Sequence, residues 1–137
     1  MQTFYIHGKL LCLDEITICE KDKKLPTRLV SEFILSQCEK LGLLQKGDRW
    51  YDDQEIVIPN CNIRIYVTES ESTLDEAMAT FDKMLYSDEF NVVGADYGYS
   101  EWTISGFDVK KFRIGNHDLN RELKRYDKKY VHFIMEV

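Results

Sequence analysis

The sequence has no Cys-x-x-Cys pair, no phosphate-binding glycine loop and no acidic calcium loop, and each absence removes a class of function. Without GxxxxGK[ST] or GxGxxG opening a helix, the usual backbone cradles for nucleotide phosphates are missing. Without Asp-x-Asp-x-Asp-Gly, an EF-hand is excluded. The nearest approach to a nucleophile elbow, Gly98-Tyr99-Ser100-Glu101-Trp102, lacks the second glycine of GxSxG, so Ser100 reads as an ordinary strand or turn serine. No apolar run approaches the ~20 residues of a membrane helix. The N-terminus lacks a basic segment followed by an apolar one and does not read as a signal peptide. The expected location is therefore the cytoplasm, with no membrane association. Cys12, Cys19, Cys38 and Cys61 have no regular spacing. A reducing compartment keeps them as free, mostly buried thiols, and no metal or other cofactor is expected.

What is present is a chain of 137 residues, 44% hydrophobic and 31% charged, which reads as one globular domain over residues 1–137 with a core of its own. The net charge of −6 is unevenly spread. Residues 1–50 balance to +1, residues 51–108 carry thirteen acids against Arg64 and Lys83, and residues 109–137 balance to +4. Segregated charge bears on partners rather than on fold. The overall acidity disfavours nucleic acid.

Residues 3–20 alternate as two strands, with Asp14-Glu15 between them. Pro26 suits a first helical position, and Leu29, Val30, Phe33, Ile34, Cys38 and Leu41 predict a helix ending at Gly42. Gln45 to Gln54 reads as a polar loop carrying Trp50 and Tyr51. Two short strands, Glu55 to Ile58 and Asn62 to Val67, are expected around a Pro59-Asn60 turn. Thr73 and Glu76 fit a capping box at the head of a second helix that runs to Leu85. Val92 to Ile114 reads as a hairpin turning near Ser105-Gly106, followed by a helix from about Asp118 to Tyr126 and a strand from Tyr130 to Val137. The expected class is α+β: a mostly antiparallel sheet of about five to seven strands with three helices packed mainly on one face.

Two surfaces draw attention. Val93 to Asn116 holds four of the seven glycines together with Tyr97, Tyr99, Trp102, Phe107 and Phe112. Strand alternation would place Tyr97, Tyr99 and Glu101 on one face, and with Asp96 and Trp102 they form a candidate partner-binding surface. Half-buried tyrosines at a core edge are the plainer account. The basic end offers Arg113, His117, Arg121 and Arg125 around a helix start, a candidate anion site. The plainer account there is a solvated basic surface, with Asn116 or Asp118 as N-cap. His7 and His132 read as wet-face or satisfied strand histidines.

No reaction is identified, and the balance is against an enzyme. The favoured expectation is a non-catalytic interaction protein of inhibitor or immunity type, its acidic centre engaging a more basic protein. The alternative is a binder of a phosphorylated or nucleotide-like small molecule through the basic 110–129 segment. An enzyme using His117 or His132 is the third reading.

Overall fold

Alternating apolar residues give each strand a core face and an outer face, and the strands assemble accordingly. The structure, a computed structural model, describes residues 3–12, 16–21, 27–28, 35–40, 42, 55–84, 93–105 and 111–137. The elements are β1 (Thr3–Cys12), β2 (Ile16–Cys19), β3 (Thr27–Arg28), α1 (Leu35–Lys40), β4 (Glu55–Thr68), α2 (Leu74–Met84), β5 (Val93–Ser105), β6 (Lys111–Ile114), β7 (His117–Asp118), α3 (Leu119–Glu122), a 3-10 turn (Leu123–Tyr126) and β8 (Tyr130–Glu136). The strands form one sheet in the order β3-β2-β1-β8-β4-β5-β6-β7. Every pairing is antiparallel. The mostly antiparallel α+β architecture stands. The eight strands among the described residues exceed the expected number because β3 and β7 are two-residue pieces without a recognisable pattern of their own.

β8 lies between β1 and β4, and Val131 to Met135 are buried without a break. A half-exposed strand would alternate; this one is covered on both sides. Val131, Phe133 and Met135 join Ile6, Leu10, Ile63, Ile65, Phe112, Leu119 and Leu123 in the larger core. On the opposite face Ile134 packs with Tyr66 and Ala77, flanked by Leu74, Met78 and Phe81. α2 therefore covers one face, whereas α3, the 3-10 turn and Cys38 of α1 belong to the other. Each fully buried isoleucine or phenylalanine contributes on the order of 1.5–3 kcal/mol.

The α2 start follows its sequence signature. Thr73 Oγ1 accepts from the Glu76 amide at 3.2 Å, and Glu76 Oε1 accepts from the Thr73 amide at 3.3 Å. The expected helical start near Pro26 is overturned at Thr27–Arg28, which is a strand paired with β2. Tertiary pairing has overridden the helical start suggested by Pro26. The Gly42 amide bonds to the Glu39 carbonyl at 3.1 Å, closing α1 where the sequence placed its end. The Asp14-Glu15 turn, the 45–54 loop, Leu85 and the turn at Gly106 lie outside the described residues.

The expected turn at Pro59-Asn60 is instead a bulge inside one fourteen-residue strand. Ile58 pairs with Trp102 and Cys61 with Ser100, so β4 carries one extra residue there, and Asn60 has φ +54°. A bulge tolerates proline because its amide need not join the ladder. A second bulge compensates. Asn62 pairs with Tyr99 and Arg64 with Asp96, leaving the extra residue on β5, where Gly98 has φ +61° and donates to Asp96 Oδ1 at 2.9 Å. One added residue on each strand restores the register beyond them.

Candidate functional site

The second bulge determines what β5 presents. It breaks the alternation between Tyr97 and Tyr99 on which a shared face depended. Ala95 pairs with Ile65 on the core side, Asp96 pairs with Arg64 on the outer side, and Tyr97 returns to the core side. Asp96 and Glu101 are exposed, and Tyr97 is half-buried. The side chains of Tyr99 and Trp102 lie outside the described part of the structure. Of that candidate surface, Asp96 and Tyr97 occupy opposite faces of the sheet.

The basic end supplies the other half of the site. A two-residue Gly115-Asn116 turn joins β6 to β7 and brings His117 opposite Ile114. Asp118 caps α3, accepting from the Arg121 amide at 3.4 Å, which makes it the N-cap rather than Asn116. Leu119 and Leu123 are buried in the core and anchor this turn of chain. Glu122, Arg125 and Tyr126 are thereby carried to the lip of the sheet.

These elements line a half-open pocket of about 190 Å³. Ile65, Val67, Ala95 and Leu123 supply its apolar lining, with Tyr97, Tyr126, His117, Glu122 and Arg125 around them. Glu122 organises the polar side. Its Oε2 accepts from the Tyr97 hydroxyl at 3.1 Å, and its Oε1 lies 2.9 Å from His117 Nδ1. A carboxylate only accepts there, so Nδ1 carries the proton. The Tyr97 ring meets His117 edge-on, 5.1 Å between centroids. Burial, and then the adjacent Glu122 carboxylate, push the Tyr97 phenol well above its ordinary value. Arg125 is exposed, with its guanidinium carbon 5.6 Å from the Tyr126 ring centroid.

Of the four candidate anion-binding residues, His117 and Arg125 line this pocket. Arg113 and Arg121 are exposed and are not part of its lining. Glu122 and Tyr126 were not anticipated as site residues. The only sequence signal was Glu122 five positions after His117 across a helix start.

A second polar cluster lies on the outer face, on β1, β8 and the loop before α2. His132 is fully buried, with Nδ1 2.6 Å from the Tyr5 hydroxyl and Nε2 3.0 Å from Ser72 Oγ. His7 Nδ1 meets the Tyr130 hydroxyl at 2.7 Å. The Tyr5, His7 and His132 rings run nearly parallel, with centroids 5.2–5.9 Å apart. Burial, reinforced by neighbouring His7, holds the His132 imidazole down at about 4. The expectation of a satisfied strand histidine is met at His132, although on a covered face.

No disulfide joins any of the four cysteines. Among the described residues no three His, Cys, Asp or Glu side chains converge on a metal position, and no helix is long and apolar enough to cross a membrane. The sequence matches no protein-family model and no curated protein, and no solved structure matches the chain.

Proposed function

We propose that the chain is a small-molecule-binding protein whose ligand is a planar aromatic acid, seated in the pocket between β5 and the 3-10 turn. The observation that supports this reading is the union of an apolar floor with Arg125 at the rim. Size limits the ligand. A cavity of about 150 Å³ admits benzene, so about 190 Å³ takes one ring with a small substituent. A nucleotide would seat its base and leave its phosphate outside, at Arg125. Glu122 is already engaged by Tyr97 and His117, which moderates its repulsion of an anion. His117, with its proton fixed on Nδ1, offers Nε2 to a ligand donor.

The test is thermal shift followed by calorimetry with benzoate-type acids, a nucleoside monophosphate and inorganic phosphate. Ring-bearing acids are expected to bind and phosphate alone to give no heat. Arg125→Ala should weaken binding by about tenfold or more, the loss of one charge-assisted contact. No heat from any ring-bearing acid would sink the proposal.

A second reading is favoured by a different surface. Glu69, Glu71, Asp75, Glu76 and Asp82 are all exposed on α2 and the loop before it. On this reading they steer a basic protein to the face that α2 covers. Association with a basic partner that is unchanged by Asp75→Asn and Asp82→Asn, and unchanged by salt, would reject it.

A further inference from the structure

Proton accounting gives the cluster around His132 a direction. Thr68 has one hydroxyl proton and donates it to the Ser70 carbonyl at 2.7 Å. The 2.7 Å contact between Thr68 Oγ1 and Ser72 Oγ must then be donated by Ser72. With its own proton so placed, Ser72 Oγ accepts from His132 Nε2 at 3.0 Å. The neutral imidazole thus carries its proton on Nε2 and turns the Nδ1 lone pair to the Tyr5 hydroxyl, 2.6 Å away. Tyr5 is 41% exposed, so its side chain can be reached from solvent.

This is the order of parts in an activated nucleophile: a reactive hydroxyl, a base within hydrogen-bond reach, and a third group that orients the base. The bond runs the wrong way for Ser72 to be that nucleophile, because its proton goes to Thr68. We propose that Tyr5 is a base-assisted nucleophile and the acceptor of a phosphoryl group, with His132 as its base and Ser72 as the positioning residue. The site lies on the outer face and does not depend on the pocket. Phosphorus is the favoured electrophile because His7 and Lys9 follow Tyr5 at two-residue steps on the same exposed row of β1. Lys9 is a cation suited to phosphoryl oxygens, and His7, held through Nδ1 by Tyr130, keeps Nε2 for a ligand.

In the step, Tyr5 Oη forms a bond to the phosphorus of an activated phosphate ester or anhydride as the P–O bond to the leaving group breaks, and the leaving oxygen departs with the electron pair. The phenolic proton passes to His132 Nδ1. The resulting imidazolium keeps Nε2–H on Ser72 and gives the Nδ1 proton to the newly bound phosphoryl group, through whose solvent-facing oxygens it leaves. Burial, with Tyr130 nearby, raises the Tyr5 phenol above its ordinary value, so a free phenolate is not the nucleophile. Deprotonation accompanies attack. Glu71 and Glu20 act on Tyr130, and Glu71 is paired with Lys21.

The test is the wild-type chain treated with diisopropyl fluorophosphate, with adducts mapped by mass spectrometry. Labelling of Tyr5 is expected at least about a hundredfold faster than N-acetyltyrosinamide near pH 6, the low end of general-base assistance. Between about pH 5.5 and 8 the Tyr5 rate should be nearly flat, because His132 is already neutral, whereas the reference rises about tenfold per unit with its phenolate. Tyr5→Phe should abolish the adduct at this position. Ser72→Ala should slow it several-fold, and His132→Gln should restore the steep pH dependence. A wild-type Tyr5 rate that climbs tenfold per pH unit, or that does not exceed the reference, overturns the proposal whether or not the variants fold.

Discussion

Asp96 and Tyr97 are neighbours in sequence and face opposite sides of the sheet. Asp96 is exposed across from Arg64, whereas the Tyr97 hydroxyl reaches Glu122 at 3.1 Å. One charged face and one pocket thus share a strand. Tyr97→Phe should remove the second support of Glu122 at little cost in packing. A loss of about 1 kcal/mol is expected in urea denaturation, the usual worth of one hydrogen bond. A variant as stable as wild type would mean that the contact contributes nothing.

His132 should make the protein acid-sensitive. Its folded value of about 4 lies below its ordinary 6.5. Above about pH 6.5 both states hold a neutral imidazole, so this residue adds no pH dependence. As pH falls through that value the unfolded chain binds the proton first, and stability declines until about pH 4. The full loss is roughly 3 kcal/mol. Denaturation midpoints across this window, with the imidazole followed by NMR, measure it. Titration of His132 near 6.5 in the folded protein would remove the basis for the expectation.

The same substitution at two glycines should act through different physics. A Cβ at Gly8 would run into the Cys19 backbone carbonyl, which cannot swing aside as a side chain would. Gly8→Ala should cost roughly 3 kcal/mol or prevent folding, at the upper end of overpacking effects. A Cβ at Gly98 meets nothing within 4 Å, so only its φ of +61° opposes the change. Gly98→Ala should cost about 1 kcal/mol. Equal losses, read from urea midpoints, would contradict the distinction.

The capping box is expected to matter at the level of one cap. Thr73→Ala removes the acceptor for the Glu76 amide and should cost about 1 kcal/mol. Thr73→Ser, which keeps the hydroxyl, should recover most of it. Thermal midpoints of the two variants provide the comparison.

Features built from neighbouring residues were legible beforehand. The Thr73–Glu76 box, the closure of α1 near Gly42 and the alternation of Ile63, Ile65 and Val67 need only local chemistry. Pro59-Asn60 was not legible, because a turn and a bulge share the same residues. The difference lies in whether one partner strand runs past both halves, as β5 does for thirteen residues. The helical reading of Thr27–Arg28 failed for a related reason: pairing with β2 outweighed a weak helical start.

The candidate sites divide along the same line. By itself the sequence determined that the chain is acidic at its centre and basic at its end, mostly antiparallel in pattern, and without the common phosphate and calcium loops. His117 and Arg125 were visible as charge near a helix start. Tertiary structure alone decided that they share a pocket with Tyr97, twenty-five residues before its partner Glu122. It alone brought Tyr5 to His132 across 127 residues. Sheet register sets such meetings, and one bulge residue reverses the face that each following side chain occupies. Local propensity carries no record of that reversal.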